Sequence, residues 1–339
     1  MTMLDEAGSV AGSVDAGTGE TYEELLARLV EGSRHRSFDP YRDIDWDAPE
    51  FQVRPNDPRW ILPDADPLGR HPWYRALPQD RQIAIGMYRQ ANVAKVGLLF
   101  EQVLIRGFMT YLSTLPNGSP EFGYATHEVI EECNHTLMFQ ELVNRSGVDV
   151  PGFGPVMRRL APLLGVAAWP MPSVFFMGVL GGEEPIDHIQ KTYLRSDTTD
   201  YHPIIKNVMR IHVAEEARHI SFAHEFLRRH VPENGPVGRF LLSLAYPVIM
   251  RVLCDVIVIP PREFFTEFDI PDSVRKELFW NSPDSRATLA GYFADVRMLG
   301  AELGLMNPVA ELLWRGLRIA GRPARFRSEP ERTPLVLAS

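Results

Sequence analysis

Residues 212–219 read His-Val-Ala-Glu-Glu-Ala-Arg-His, and residues 128–135 read Glu-Val-Ile-Glu-Glu-Cys-Asn-His. Each stretch contains a Glu-x-x-His pair, Glu132 with His135 and Glu216 with His219. In a helix of 3.6 residues per turn, positions i and i+3 share a face, so each pair can turn two donors toward one point. A single such pair is commonplace on a solvated helix face. Two of them, some 80 residues apart in long apolar-periodic stretches, need a shared explanation.

That explanation comes from the two helical stretches that precede them. Glu101 lies between Gly-Leu-Leu-Phe and Gln-Val-Leu-Ile, and Glu183-Glu184 follows Phe-Phe-Met-Gly-Val-Leu-Gly-Gly. The order is Glu, Glu-x-x-His, Glu, Glu-x-x-His on four successive helices, the ligand order of carboxylate-bridged dimetal bundles. Four buried carboxylates without cations each carry a desolvation penalty of several kcal/mol. Two divalent ions balance them, and mixed carboxylate and imidazole donors suit iron or manganese.

Register selects Glu132 over Glu131 and Glu216 over Glu215, because only the second member of each doublet stands three residues before its histidine. Glu183 is preferred to Glu184 because it shares a face with Asp187. His212, four residues before Glu216 and seven before His219, falls within an arc of about 60° with them and adds a third imidazole. The expected metal ligands are Glu101, Glu132, His135, Glu183, His212, Glu216 and His219. Glu128 stands one turn before Glu132 and reads as an outer-shell group or an alternative ligand. His127, His188, His202, His224 and His230 lack a partner at metal spacing and read as surface, cap or outer-shell groups. Cys133 points away from the ligand face and reads as packing.

With the third histidine in place, the chain resembles the arylamine N-oxygenase family, whose ferritin-like di-iron bundle has an extra histidine on its last ligand helix. The resemblance rests on Phe100-Glu101-Gln102, Glu132-Cys-Asn-His135, Glu183-Glu-Pro-Ile-Asp187 and His212-Val-Ala-Glu-Glu216-Ala-Arg-His219, and covers roughly residues 80–232. It implies two iron ions, with manganese the alternative, bridged by at least one carboxylate about 3.5–4 Å apart. It also implies O2 as co-substrate, a peroxo-diferric species, and oxygen transfer to a small organic substrate, in this family an aromatic amine. A homodimer is implied as well. Carbon hydroxylation and ferritin-like iron oxidation are the competing activities. Electrons are expected from an external donor, since the sequence offers no nicotinamide or flavin motif: Gly152-Phe153-Gly154 lacks the third glycine of a dinucleotide fingerprint.

The rest of the sequence frames this core. An all-α fold is expected, a ferritin-like four-helix bundle with additional N- and C-terminal helices. The four ligand helices should run from after Pro78 to about Leu115, from Ser119-Pro120 to Ser146-Gly147, from about Ser173 to Ser196-Asp197, and from His202-Pro203 to Arg229. A Pro/Gly-rich connection spans residues 148–172, and three or four helices punctuated by prolines fill residues 235–322. Residues 33–78, rich in Pro, Asp and Trp, read as an extended arm over the bundle. Residues 1–20 read as a disordered leader, 21–325 as a single helical domain, and 326–339 as a tail.

Lys and Arg number 35 against 44 Asp and Glu, a net charge of −9, so nucleic acid and anionic membranes are not expected partners. The apolar runs 165–182 and 240–261 are interrupted by Pro170 and Pro172 and by Arg251 and Asp255, and read as core helices rather than spans. Two cysteines, neither in a CxxC pair, and no apolar N-terminal run point to the cytoplasm. Phe100, Phe108, Phe139, Phe176 and Phe222 are candidates to line an apolar pocket.

Overall fold

The computed structural model describes residues 20–195 and 201–323. These residues are all-helical, with no strand among them. The expected tail and the leader up to residue 19 lie outside the described residues.

The ligand helices fall within a few residues of their expected ends. Helix α1 (Tyr22–His35) precedes them, closed at its start by a capping box between Thr21 and Glu24. Helix α2 (Gln79–Leu112) follows Pro78 and is about 50 Å long at 1.5 Å per residue. Helix α3 (Glu121–Ser146) packs along it and stops at Gly147, whose φ of 68° is the left-handed conformation that suits glycine. Helices α5 (Pro172–Leu194) and α6 (Pro203–His230) form the second pair, each with proline at its first turn. Pro185 lies inside α5 without ending it. Surrounding packing holds the helix together despite the missing N–H.

The Pro/Gly-rich connection between α3 and α5 contains helix α4 (Pro155–Leu164) and a 3-10 turn, Gly165–Ala168, lying against α2. One expectation is corrected. The C-terminal region has six helices rather than three or four. These are α7 (Pro236–Val258), Arg262–Glu267, Asp272–Lys276, Pro283–Gly291, Ala294–Glu302 and Pro308–Gly316. The prolines explain the difference. Pro261, Pro271, Pro283 and Pro308 each stand at or next to a helix start, whereas Pro247 stays inside α7.

Helix α7 packs on α5, with Met250 and Leu253 against Gly181, and leaves Val237, Phe240, Leu241, Val248 and Val252 exposed. By length and composition the stretch Pro236–Glu267 could cross a membrane: an 18-residue window within it has a mean hydropathy of 2.0, and 44% of that window is buried.

The 33–78 segment does lie over the bundle, and it is anchored by large buried side chains. Trp60 is fully buried and stacks on His202 at 4.7 Å between ring centroids. Its carbonyl approaches α2 at Gly86, where a Cβ would meet Trp60 O at 1.9 Å. Only glycine leaves room there. Deeper in, Asp66 of the same arm reaches Arg89 of α2 at 2.6 Å.

Candidate metal centre

Helices α2, α3, α5 and α6 turn the seven expected side chains toward one point. Their ligand atoms form three overlapping groups, each with all atoms within 4.8 Å of one another. One group is Glu101, His135, His212 and Glu216; the second is Glu132, His135, Glu216 and His219; the third is Glu101, Glu132 and Glu183. None of the seven is more than 2% exposed. The i, i+3 spacing works as the sequence suggests: Nδ1 of His135 lies 3.1 Å from Glu132, and Nδ1 of His219 lies 3.3 Å from Glu216.

Glu184 points elsewhere and meets His224 at 3.0 Å, so the doublet divides as its register suggests. His202 sits at the start of α6, and His188 packs edge-on against Tyr292. Cys133 does face away from the cluster, but it is exposed and not packed. Phe108, Phe176 and Phe222 belong to an aromatic core cluster, whereas Phe100 and Phe139 line the cavity described below.

Sequence reasoning missed the outer ring of this cluster. Nε2 of His135 lies 2.9 Å from Glu215, and Nε2 of His219 lies 2.8 Å from Glu131. Nδ1 of His212 meets the Gln190 side-chain oxygen at 3.0 Å. Each imidazole therefore keeps one nitrogen toward the centre and has the other fixed from outside, which sets both ring orientation and tautomer. Arg218 ties the outer carboxylates together, at 2.8 Å from Glu131 and 3.8 Å from Glu215. The arm closes the ring: the Phe38 N–H donates to Glu215, the Phe38 carbonyl accepts from Asn134, and the Arg36 carbonyl accepts from Arg218. The glutamates before each ligand glutamate were the available signal, since a buried doublet needs a task for both members.

The electrostatics describe a site short of positive charge. Burial, and then the charges of Glu132 and Glu216, push Glu101 far above the ordinary carboxylate range. Burial and the charges of Glu216 and Glu101 do the same to Glu183. Burial is also the largest influence on Glu132, but His219 and His135 outweigh it and hold Glu132 well below that range. Burial lowers His135, yet its bonds to Glu132 and Glu215 raise it to about 10. His219 is likewise raised, against burial, by Glu216 and Glu132. His212 is pushed down to about 4 by burial and stays neutral. Protons on Glu101, Glu183, His135 and His219 thus offset the negative charge of the cluster, a task divalent ions can also perform.

The donor set fits two divalent ions. Both oxygens of Glu183 and of Glu216, one each of Glu101 and Glu132, and Nδ1 of His219 are buried without a hydrogen-bond partner. Buried polar atoms are ordinarily satisfied, and orphans converging on one point call for a ligand that accepts lone pairs. Glu128 is fully buried with both oxygens unpartnered, but it falls outside the three groups. Burial raises its carboxyl far above the ordinary range.

A cavity opens from the cluster. It holds about 960 Å³ of space between atoms, counting its mouth, and Glu101, Glu183 and His212 form part of its lining. Phe100, Phe139, Ile186, Ile205, Val208 and Met209 give it apolar walls. Apolar walls with a few convergent polar groups suit a small organic molecule.

The family described as P-aminobenzoate N-oxygenase AurF matches residues 19–304 of this chain. An uncharacterised protein of Mycobacterium tuberculosis strain H37Rv is 58% identical over 326 residues, 96% of each chain. An uncharacterised protein of Mycobacterium bovis matches to the same extent, 58% over 96% of each chain.

Proposed function

This chain belongs to the p-aminobenzoate N-oxygenase family, whose fold is ferritin-like, and from that premise we propose that it is a di-iron oxygenase that N-oxygenates a small aromatic amine with O2. The observation that carries the reading is the set of orphaned carboxylate and imidazole atoms beside an apolar cavity. Glu101, Glu132, His135, Glu183, His212, Glu216 and His219 would hold the ions. When bound, two irons supply the capacity to reduce O2 and pass an oxygen atom to substrate.

The chain's own residues provide the setting. Glu131, Glu215 and Gln190 keep the imidazoles aimed inward. Phe100, Phe139 and the aliphatic walls exclude water and hold an apolar substrate beside Glu101, Glu183 and His212. Electrons come from an external reductant.

Metal analysis of iron-supplied protein, followed by oxygen uptake of the reduced form with a panel of amines, tests the reading. About two irons per chain and amine-dependent oxygen consumption with N-oxygenated product are expected. Many irons per chain deposited as mineral would instead indicate an iron-oxidising protein. Oxygenation at carbon would retain the centre and change the reaction.

A further inference from the structure

Resting on the oxygenase reading and its arylamine substrate class, we propose that the cavity takes an uncharged ring and discriminates against carboxylate-bearing analogues. The argument is one of charge balance along the cavity. At one end, four carboxylates, those of Glu101, Glu132, Glu183 and Glu216, match two divalent ions, and the imidazoles add no charge. Away from the cluster, Arg89 is the only Lys or Arg among the described lining residues.

Arg89 is already matched. Its Nε lies 2.6 Å from Oδ2 of Asp66, and the Tyr193 hydroxyl donates to the same oxygen at 2.6 Å. Oδ1 of Asp66 accepts from the backbone N–H groups of Leu68 at 2.7 Å and Gly69 at 3.3 Å. Asp66 is 1% exposed and Arg89 8%, so the pair is shielded from solvent. A substrate carboxylate reaching Arg89 would come up beside the Asp66 carboxylate and leave one net negative charge among apolar walls. Such uncompensated burial is strongly disfavoured. An arylamine is neutral at physiological pH, and apolar walls with no unmatched Lys or Arg among the described lining residues suit an uncharged ring.

The test uses iron-loaded protein, with metal counted first, kept anaerobic so that nothing turns over. Equilibrium dialysis compares 4-aminobenzamide, p-toluidine and 4-aminobenzoate, arylamines that differ in charge while the amide and the carboxylate nearly share a shape. The amide and p-toluidine should bind at least about tenfold more tightly than the carboxylate. Asp66→Asn leaves Arg89 unmatched while keeping an acceptor for Leu68 and Gly69. It should shift the carboxylate-to-amide affinity ratio about tenfold or more toward the carboxylate without changing iron content.

A wild-type centre holding two irons that binds the carboxylate as tightly as the amide, or binds none of the three, overturns the proposal and leaves the metal centre standing. So does an Asp66→Asn chain with an unmoved ratio. A chain that holds no iron overturns the oxygenase reading and the proposal with it. Should Asp66→Asn fail to fold, the three ligands on the wild type decide.

Discussion

Nε2 of His135 on α3 lies 2.9 Å from a carboxylate oxygen of Glu215 on α6. The relation is reciprocal, since Nε2 of His219 on α6 lies 2.8 Å from Glu131 on α3. Each helix supplies the carboxylate that orients the other helix's imidazole, from the position just before its own inward-facing glutamate. Neither motif is complete alone.

Glu131→Gln and Glu215→Gln should therefore weaken iron binding by about 10–100-fold each while the bundle stays folded, because an amide holds the ring less firmly and no longer raises its basicity. Competition against a chromophoric ferrous chelator measures this. Wild-type affinity in both variants would show that the outer carboxylates are passive.

His212→Ala should keep the helix, since alanine favours it, but lose or loosen one iron. His212 Nε2 lies 3.3 Å from Glu101 and 3.4 Å from Glu216, so its removal thins the donor set between those carboxylates. Iron content and the oxygen reactivity of the reduced form are the readouts. If both are unchanged, His212 is not a ligand.

The ligand pattern was legible because its geometry is local: an i, i+3 or i, i+4 relation is written into consecutive residues. Helix ends were legible for the same reason, as at Pro78 and Gly147. What stayed hidden joins distant segments. Glu215 and His135 are 80 positions apart, and Asp66, Arg89 and Tyr193 meet from the arm, α2 and α5. No spacing rule connects such residues until packing does. Helix α1 went unplaced although Thr21 and Glu24 form a capping box, because its neighbourhood reads as leader and arm.

Metal-free protein should lose stability as pH rises above neutrality. His135 is raised in the folded state from an ordinary 6.5 to about 10, so its contribution is complete below 6.5 and lost as pH climbs to about 10. His219, Glu101, Glu183 and Glu128 are raised too, and each loses its contribution in the same direction. The unfolded chain binds fewer protons than the folded one across this range, which fixes the sign. Binding of two divalent ions should flatten the profile and release protons from His135, His219, Glu101 and Glu183. Melting curves from pH 7 to pH 10, with and without ferrous ion, test the first part. Calorimetry in buffers of different ionisation enthalpy tests the second, and metal binding without proton release would contradict the charge balance described above.

Gly182 stands immediately before Glu183 and faces Phe100, the residue before Glu101. A Cβ at position 182 would lie 1.8 Å from Cζ of Phe100, so the ring and an alanine cannot both keep their places. Because Phe100 also lines the cavity, the displaced ring has that space to enter. Gly182→Ala should cost about 1–3 kcal/mol of stability through overpacking. For a chain of 339 residues that lowers the melting temperature by about 1–2 °C per kcal/mol. Amine binding should suffer more than iron binding, since the ring moves into substrate space while the ligand carboxylates stay on their helices. Adding Phe100→Leu removes the obstructing ring edge and should restore most of both stability and amine affinity. If the double variant is no better than Gly182→Ala alone, contact with Phe100 is not what requires glycine at this position.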